Sequence, residues 1–251
     1  MKLVHIKDKL KEIGMPVESL SLGDFDRIGE FTAKKARDEN SELYQKVGCF
    51  FRPNYERGIL IYSLIKKYHL STYCEVGFGR GFSALCAAKA MHDLGNDGRV
   101  FTVDVKFDEK QMDLIKNVFP NDWLNHITAV QGPSQQALPE LFKRQQTFDF
   151  VYIDGDHRAD AVRSDWDALK DRWTSFCLFD DYHLPTKKEA DIECAQVIDK
   201  VVENGSDDFS AELIRLDRRI FVDDRGFTDD QVDYGQCLLS KKTLVSTLND
   251  W

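Results

Sequence analysis

The sequence lacks the features that would assign it to a nucleic-acid-binding or membrane protein. Acidic residues outnumber basic ones by 43 to 34, and the formal net charge is −9. Because affinity for a phosphate backbone depends on Lys and Arg, this balance argues against nucleic acid as the main partner. No apolar run has the length that spans a membrane, and the first ten residues lack the apolar stretch of a signal peptide. We therefore expect no membrane association.

Cysteine pairs with metal-binding or redox spacing are also missing. The six cysteines are scattered, and none forms a Cys-x-x-Cys pair. Cys74, Cys86 and Cys177 lie in predicted strands or helices, where a reduced and buried thiol is expected. Scattered cysteines that are expected to be reduced predict a cytoplasmic location. The sequence has no Gly-x-Ser-x-Gly or Cys–His motif to support hydrolytic chemistry.

Predicted strands and helices alternate through most of the 251 residues. Strands are predicted at 72–76, 100–104, 127–131, 148–153 and 176–179, and helices at 82–94, 109–119, 158–173 and 188–203. A hairpin is predicted from 211–216 and 219–222. This alternation predicts an α/β fold with a parallel sheet and helices on both faces. We assign the less regular residues 1–55 to an N-terminal helical cap and residues 56–251 to the main domain.

A glycine-rich loop joins the first predicted strand of this domain to its helix. Glu75 is followed by glycines at alternate positions, Gly77, Gly79 and Gly81. Glycines allow the backbone to turn sharply and to approach a ligand closely. The dinucleotide fingerprint Gly-x-Gly-x-x-Gly needs a glycine at position 82, where Phe82 stands. A carboxylate at this place suits a ligand with a positive charge and free hydroxyls better than a phosphate.

The loop resembles motif I of the class I methyltransferases that use S-adenosylmethionine, written acid-x-Gly-x-Gly-x-Gly. The resemblance implies a Rossmann-like, doubly wound, mostly parallel sheet of seven strands, with S-adenosylmethionine as cofactor. It implies that Asp104 binds the ribose hydroxyls, although an acid there would serve NAD equally, and that Ser134 lies at the adenine. The remaining cofactor-binding residues that it implies are Glu75, Gly77, Phe78, Gly79, Gly81, Ser83 and Asp154.

Carboxylates follow four of the five predicted strands. Beyond Glu75 and Asp104, the fourth strand is followed by Asp-Gly-Asp-His at 154–157 and the fifth by Asp-Asp-Tyr-His at 180–183. In open α/β sheets the ligand binds beyond the carboxyl ends of the strands, so these acids should share one edge. Asp154, Asp180 and Asp181 can then converge on a hard divalent cation such as Mg²⁺, which prefers oxygen ligands.

These two segments resemble metal-assisted O-methyltransferases, including those that methylate sugar hydroxyls of macrolides and aminocoumarins. The resemblance covers residues 56–203. It implies that Asp154, Asp180 and Asp181 bind the metal and that Asp156 is a candidate base. His157 and His183 flank the acidic clusters, and either is a further candidate base.

The sequence therefore predicts an S-adenosylmethionine-dependent methyltransferase that uses Mg²⁺ to methylate a hydroxyl of a small acceptor, such as a sugar. A metal-independent methyltransferase, an NAD-linked oxidoreductase and a non-catalytic binding module stay open as alternatives. No (Asp/Asn)-Pro-Pro-aromatic turn follows the fourth strand, which argues against methylation of nucleic-acid amino groups. Aromatic and basic residues at 49–57, including Arg57, either cap the pocket or form a packing collar. The acceptor and the oligomeric state, including a homo-oligomer, are left open.

Overall fold

The computed structural model describes residues 1–21, 23–25, 27–28, 54–107, 109–183, 193–205, 207–215 and 234–243. The strands in these ranges are β1 (Lys2–His5), β2 (Thr72–Val76), β3 (Arg99–Asp104), β4 (Ile127–Gln131), β5 (Phe148–Ile153), β6 (Trp173–His183), β7 (Phe209–Arg215) and β8 (Tyr234–Lys241). The helices are α1 (Ile6–Glu12), α2 (Asn54–Tyr68), α3 (Phe82–Leu94), α4 (Glu109–Val118), α5 (Asn121–Leu124), α6 (Ser134–Phe142), α7 (Ala159–Leu169) and α8 (Cys194–Asn204).

The described strands form one sheet, in the order β1-β7-β8-β6-β5-β2-β3-β4. β8 runs antiparallel to β6 and β7, and the other neighbouring pairs are parallel. The prediction of a mostly parallel α/β sheet is confirmed. The sheet has eight strands in the described ranges rather than the predicted seven, because Lys2–His5 pairs with β7 as an additional edge strand.

Helices pack on both faces of the sheet, as predicted. Successive side chains of a strand point to opposite faces, and accordingly Tyr73 and Cys74 of β2 belong to two separate hydrophobic clusters. The first cluster includes Leu64 of α2 and Leu85 of α3, and the second includes Val162 of α7. Burial on both faces explains why the central strands are continuously apolar.

Several element boundaries differ from the predictions. Helix α7 ends at Leu169, and Trp173, which was predicted to close that helix, is the first residue of β6. Strand β6 continues to His183 because its second half pairs with β8. The predicted hairpin partner at 219–222 lies outside the described residues, and β7 pairs with β8 instead. Helix α6 and strand β8 were not predicted.

The topology brings the carboxyl ends of β2, β3, β5 and β6 to one edge of the sheet, because these strands are parallel neighbours. Residues 29–53 of the predicted N-terminal cap lie outside the described residues, and the domain boundary stays a prediction. None of the helices in the described part of the chain combines the length and the apolar character needed to span a membrane.

Candidate active site

The glycine loop between β2 and α3 has a backbone that only glycine adopts easily. Its three glycines have positive φ angles of +99° at Gly77, +51° at Gly79 and +83° at Gly81. A Cβ on Gly77 would lie 1.9 Å from the carbonyl oxygen of Asp154, so a side chain cannot be placed there. A Cβ on Gly79 would meet no heavy atom of the described residues within 4 Å. The loop therefore packs against the end of β5 on one side and is open at Gly79.

Two carboxylates hold this loop and the strand before it. Glu75 is fully buried and accepts hydrogen bonds from the hydroxyls of Tyr73 at 2.9 Å and Thr102 at 2.7 Å, and from Ser83. Burial raises the pKa of Glu75 to about 7, although these three hydroxyl donors act in the opposite direction. In this structure the Ser83 hydroxyl donates a hydrogen bond to Glu75. The predicted contacts of both residues with a cofactor therefore stay predictions.

Asp104 lies at the end of β3 and fixes the loop backbone. Its Oδ2 accepts hydrogen bonds from the backbone N–H groups of Phe78 at 2.9 Å and Gly79 at 3.0 Å. Phe78 itself is buried, with its ring 5.1 Å from that of Phe107. The structure thus places Asp104 beside the glycines, where a ribose-binding acid was predicted.

Ser134 begins helix α6, and its hydroxyl donates a hydrogen bond to Asp165 of α7. Asp165 is buried, and desolvation raises its pKa to about 6. Asp165 was not predicted as a site residue, because a single acid in a helix carries no signal of burial. The predicted contact of Ser134 with adenine stays a prediction.

The two neighbouring acids of β6 are bridged by an arginine of helix α2. Nη1 of Arg57 lies 2.7 Å from Oδ2 of Asp180, and Nη2 lies 3.0 Å from Oδ1 of Asp181. The Asp180 side chain is 1% exposed and that of Asp181 13% exposed, so this is a largely desolvated ion-pair network.

The local geometry of β6 explains how adjacent acids contact one guanidinium. Neighbouring residues in a regular strand point to opposite faces. Here the pairing of β6 with β8 shifts register between Phe179 and Tyr182, and Asp181 has a φ of +50°. This bulge turns Asp181 toward the side of Asp180. A non-glycine residue in the left-handed region is uncommon and is enriched at functional sites.

Tyr152 of β5 connects Asp180 with Asp154. Its hydroxyl oxygen lies 2.8 Å from Oδ2 of Asp180 and 3.1 Å from Oδ2 of Asp154, and it can donate to one of them at a time. The amide nitrogen of Gln236 lies 3.4 Å from Oδ1 of Asp180. Desolvation, together with the charges of Asp180 and Asp181, raises the pKa of Asp154 well above its usual value. Desolvation also raises the pKa of Asp180.

His157 completes the cluster. Its Nδ1 lies 2.6 Å from Oδ2 of Asp181, and this hydrogen bond raises the pKa of His157 to about 10. Ligand atoms of Asp154, His157 and Asp181 all lie within 4.8 Å of one another, a spacing that one metal ion can bridge. Asp180 is not in this group. It was predicted as a ligand, but its described partners are Arg57, Tyr152 and Gln236.

The other two candidate bases lie differently. Asp156 is exposed, and its carboxylate accepts hydrogen bonds from the side chain of Arg158, which lower its pKa. His183 closes β6 opposite Tyr234, and its side chain is outside the part of the chain that the structure describes.

The structure therefore brings most of the predicted residues to one sheet edge and adds three partners that the sequence did not reveal. Tyr152 precedes Asp154 by two residues, and strand alternation places both on one face. Arg57 was named only as a residue of a cap or collar. Gln236 lies on β8, which had no recognised sequence signal.

Comparisons with known proteins agree with this geometry. The family described as "Methyltransferase domain" matches residues 74–182, from β2 to the end of the acid cluster. No curated protein matches the chain in sequence.

Three solved structures share the fold. An O-methyltransferase from Bacillus cereus in complex with SAH is 19% identical with a TM-score of 0.52, covering 74% of this chain and 80% of its own. The tomaymycin-synthesis O-methyltransferase TomG from Streptomyces achromogenes, in complex with SAM, is 17% identical with a TM-score of 0.54, covering 74% and 79%. A putative caffeoyl-CoA O-methyltransferase from Staphylococcus aureus is 14% identical with a TM-score of 0.53, covering 83% and 98%.

These likenesses show the fold of the S-adenosylmethionine-dependent O-methyltransferases. Residues 74–182 match a methyltransferase domain, and that match includes the glycine loop and the acids that follow β5 and β6. The domain match over residues 74–182 and the shared fold agree with the predicted class I S-adenosylmethionine-dependent methyltransferase.

Proposed function

We propose that the protein transfers a methyl group from S-adenosylmethionine to a hydroxyl of a small molecule, with the help of a divalent cation. Two structural neighbours are named O-methyltransferases and were solved with SAH or SAM, which supports this reaction. One of them is named for the synthesis of a small natural product, which supports a small acceptor. The sugar-like acceptor rests on the resemblance of the acidic segments alone.

The fit of the cofactor is supported by the contact between the loop and the acid cluster. The position that a Cβ of Gly77 would occupy lies 1.9 Å from the Asp154 carbonyl oxygen, and the Asp154 N–H donates to the Val76 carbonyl at 2.9 Å. A ligand lying over Gly79 would therefore be next to Asp154. When bound, S-adenosylmethionine supplies an electrophilic methyl group, and the residues around it have to hold the acceptor oxygen in line.

The observation that carries the cation is the crowding of three carboxylates. Asp154, Asp180 and Asp181 face one another with two nearby cations, Arg57 and His157, and the pKa of Asp154 is raised. A divalent cation would stabilise the ionised form of Asp154. We propose Asp154, His157 and Asp181 as its protein ligands, with Asp180 held in place by Arg57. Carboxylates suit Mg²⁺, whereas an imidazole ligand suits Mn²⁺ or Zn²⁺, so this ligand set is compatible with each of these cations.

The chain's own residues also limit the choice of base. His157 has a pKa of about 10 and is protonated near neutral pH in the cation-free protein. The lowered pKa of Asp156 makes its carboxylate a weak proton acceptor. His183 stays a predicted base. A bound cation would lower the pKa of the acceptor hydroxyl and fix its angle.

Cation dependence is tested with chelated protein. After treatment with EDTA, methyl transfer to a panel of sugar and catechol acceptors is measured with Mg²⁺, Mn²⁺ or Zn²⁺ added back. We expect turnover to need one of the cations. Asp154→Asn should lower kcat/KM by at least about 10- to 100-fold, the loss seen even for partners of metal ligands. The exposed Asp160→Asn on α7 is the matched control. Equal rates in EDTA would remove the cation from the proposal.

One observation favours a metal-independent methyltransferase as the second candidate. Arg57 contacts both Asp180 and Asp181 and already places a positive charge among the acids. The two candidates differ in what Arg57→Met should do. If a cation is used, the variant frees Asp180 and should bind Mn²⁺ more tightly than the wild type. If Arg57 supplies the charge, the variant should lose turnover without any change in cation binding.

Arg57→Met needs a folding check, because removing one partner of a buried ion pair costs about 3–5 kcal/mol. Arg57→Lys keeps the charge and serves as the conservative control. Isothermal titration with Mn²⁺ and thermal unfolding are measured on both variants. Tighter Mn²⁺ binding by Arg57→Met alone would support the cation and exclude the second candidate.

A further inference from the structure

A cavity lies away from the acid cluster, at the opposite edge of the sheet from the acids. It has a volume of about 420 Å³ and lies among α7, α8 and the strands β6, β7 and β8. Trp173, which lines it, is the first residue of β6, whereas Asp180 is seven residues further along the same strand. At about 3.3 Å per residue, the Trp173 end of the cavity lies roughly 23 Å along the strand from Asp180. The Trp173 end of the cavity is therefore remote from the acids of the proposed methyl transfer.

The inner wall of this cavity is aromatic. The Trp173 ring centroid lies 5.7 Å from that of Phe209, and the Trp166 centroid lies 6.5 Å from Phe209. Val197 and Val201 of α8 line the same space. A cavity of this size with aromatic and aliphatic walls suits the ring of a small organic ligand.

Two polar groups that line this cavity have neither a hydrogen-bond acceptor nor an ion-pair partner for their side-chain nitrogen in the described ranges. Trp173 is 3% exposed, and its indole Nε1 is buried without a hydrogen-bond partner among the described residues. A buried donor without a partner costs about 1–3 kcal/mol, so it requires an explanation. The ammonium of Lys241 lies 4.2 Å above the Trp173 ring, and no described carboxylate forms an ion pair with it.

The charge around the cavity is opposite to that of the whole protein. Its lining contains four cations, Arg163, Lys170, Lys200 and Lys241, and three acids, Asp167, Asp171 and Asp208. Asp167 is already paired with Lys170 at 3.3 Å. In a chain with a net charge of −9, this is a local excess of positive charge.

We propose that this cavity is a binding site for a small aromatic anion. The ring of the ligand packs against Trp166 and Phe209, and its anionic group accepts a hydrogen bond from Trp173 Nε1 and pairs with the Lys241 ammonium. A carboxylate or a sulfonate supplies acceptors for both donors at once. No bond is made or broken in this site.

The test uses 2-naphthoate as the probe and 2-naphthamide as its neutral match. The indole N–H signals of the ¹⁵N-labelled protein are followed by NMR, and the Trp173 signal is assigned from its loss in Trp173→Phe. We expect 2-naphthoate to shift the Trp173 signal, and the amide to bind at least about tenfold more weakly because it cannot pair with Lys241.

The variants separate this site from any other that the probe finds. Lys241→Met should weaken binding of 2-naphthoate by about tenfold, and Trp173→Phe should weaken it while keeping the ring. Lys143→Met, an exposed lysine on the α6 side of the protein, should bind the probe like the wild type. Equal binding of the acid and the amide by the wild type would overturn the proposal. So would binding that leaves the Trp173 signal unmoved, or an affinity unchanged in Lys241→Met.

Discussion

At the scale of single residues, Glu75 shows how a group can be predicted in place while its hydrogen-bond partners in the protein are not. Motif resemblance predicted it as a cofactor-binding residue at the glycine loop. In the structure, its carboxylate is fully buried and accepts hydrogen bonds from Tyr73 of β2 and Thr102 of β3. A buried carboxylate favours its protonated form, and this has a measurable consequence for stability.

We predict that Glu75 destabilises the fold as the pH rises. Its pKa is raised from 4.5 to about 7, so between these values the folded state binds more protons than the unfolded state. The free energy of unfolding should then fall across this range by up to about 3 kcal/mol and stay low above it. Urea unfolding of the wild type and Glu75→Gln at pH 5 and pH 8 measures this, and the fall should be smaller in the variant. Equal pH dependence in both proteins would contradict the prediction.

The acids at the strand ends could each be predicted from the sequence, whereas the side chains that form ion pairs with them could not. A carboxylate directly after an apolar strand is visible in the sequence, and the parallel sheet brings such residues together. The ion pairs of Asp180 and Asp181 with Arg57 join residues more than 120 positions apart in the chain. No local pattern encodes such a pair, because it depends on how helix α2 packs on the sheet.

At the scale of elements, strand β6 departs most from its prediction. The apolar run predicted a strand at 176–179, but β6 extends from Trp173 to His183 and carries the bulge at its acids. Its second half is stabilised by pairing with β8, and the acids there have no strand propensity of their own. A bulge leaves little trace in a single sequence, and so the shared orientation of the two acids was not predicted.

The bulge predicts opposite outcomes for glycine and alanine at two neighbouring positions. Asp181 has a φ of +50°, so Asp181→Gly should be more stable than Asp181→Ala by about 1 kcal/mol. Asp180 is not among the residues with positive φ, so there alanine should be the more stable replacement. Each pair removes the same carboxylate, which cancels the loss of the ion pair with Arg57. Urea unfolding of the four variants measures both differences. The same order at both positions would show that the bulge does not exist in solution.

At the scale of the whole molecule, the alternation of strands and helices was sufficient to predict the α/β sheet and its functional edge. It did not predict that residues 2–5 belong to this sheet. Lys2–His5 forms the edge strand β1, with Val4 buried and Lys9 of the following helix 2.6 Å from Glu212 of β7. A four-residue strand is too short to show a periodic pattern.

Ligand binding by the folded molecule separates the two cofactors that the glycine loop left open. A ligand present at about 100 times its Kd stabilises the folded state by about 2.7 kcal/mol, which raises Tm by roughly 5–10 °C in a chain of this size. We expect S-adenosylmethionine or its product to give such a shift and NAD to give none, because Phe82 replaces the third glycine of the dinucleotide fingerprint.

Two glycine variants show whether this stabilisation arises at the loop. Gly79 and Gly95 have similar φ angles, +51° and +66°, and a Cβ on either would meet no described heavy atom within 4 Å. Replacing either by alanine should therefore cost a similar backbone strain of about 1 kcal/mol. Only Gly79→Ala places a methyl group over the loop, so only this variant should lose the Tm shift with S-adenosylmethionine. Gly95 ends helix α3, away from the loop. A full shift in Gly79→Ala, or an equal loss in Gly95→Ala, would mean that the cofactor does not lie over the loop.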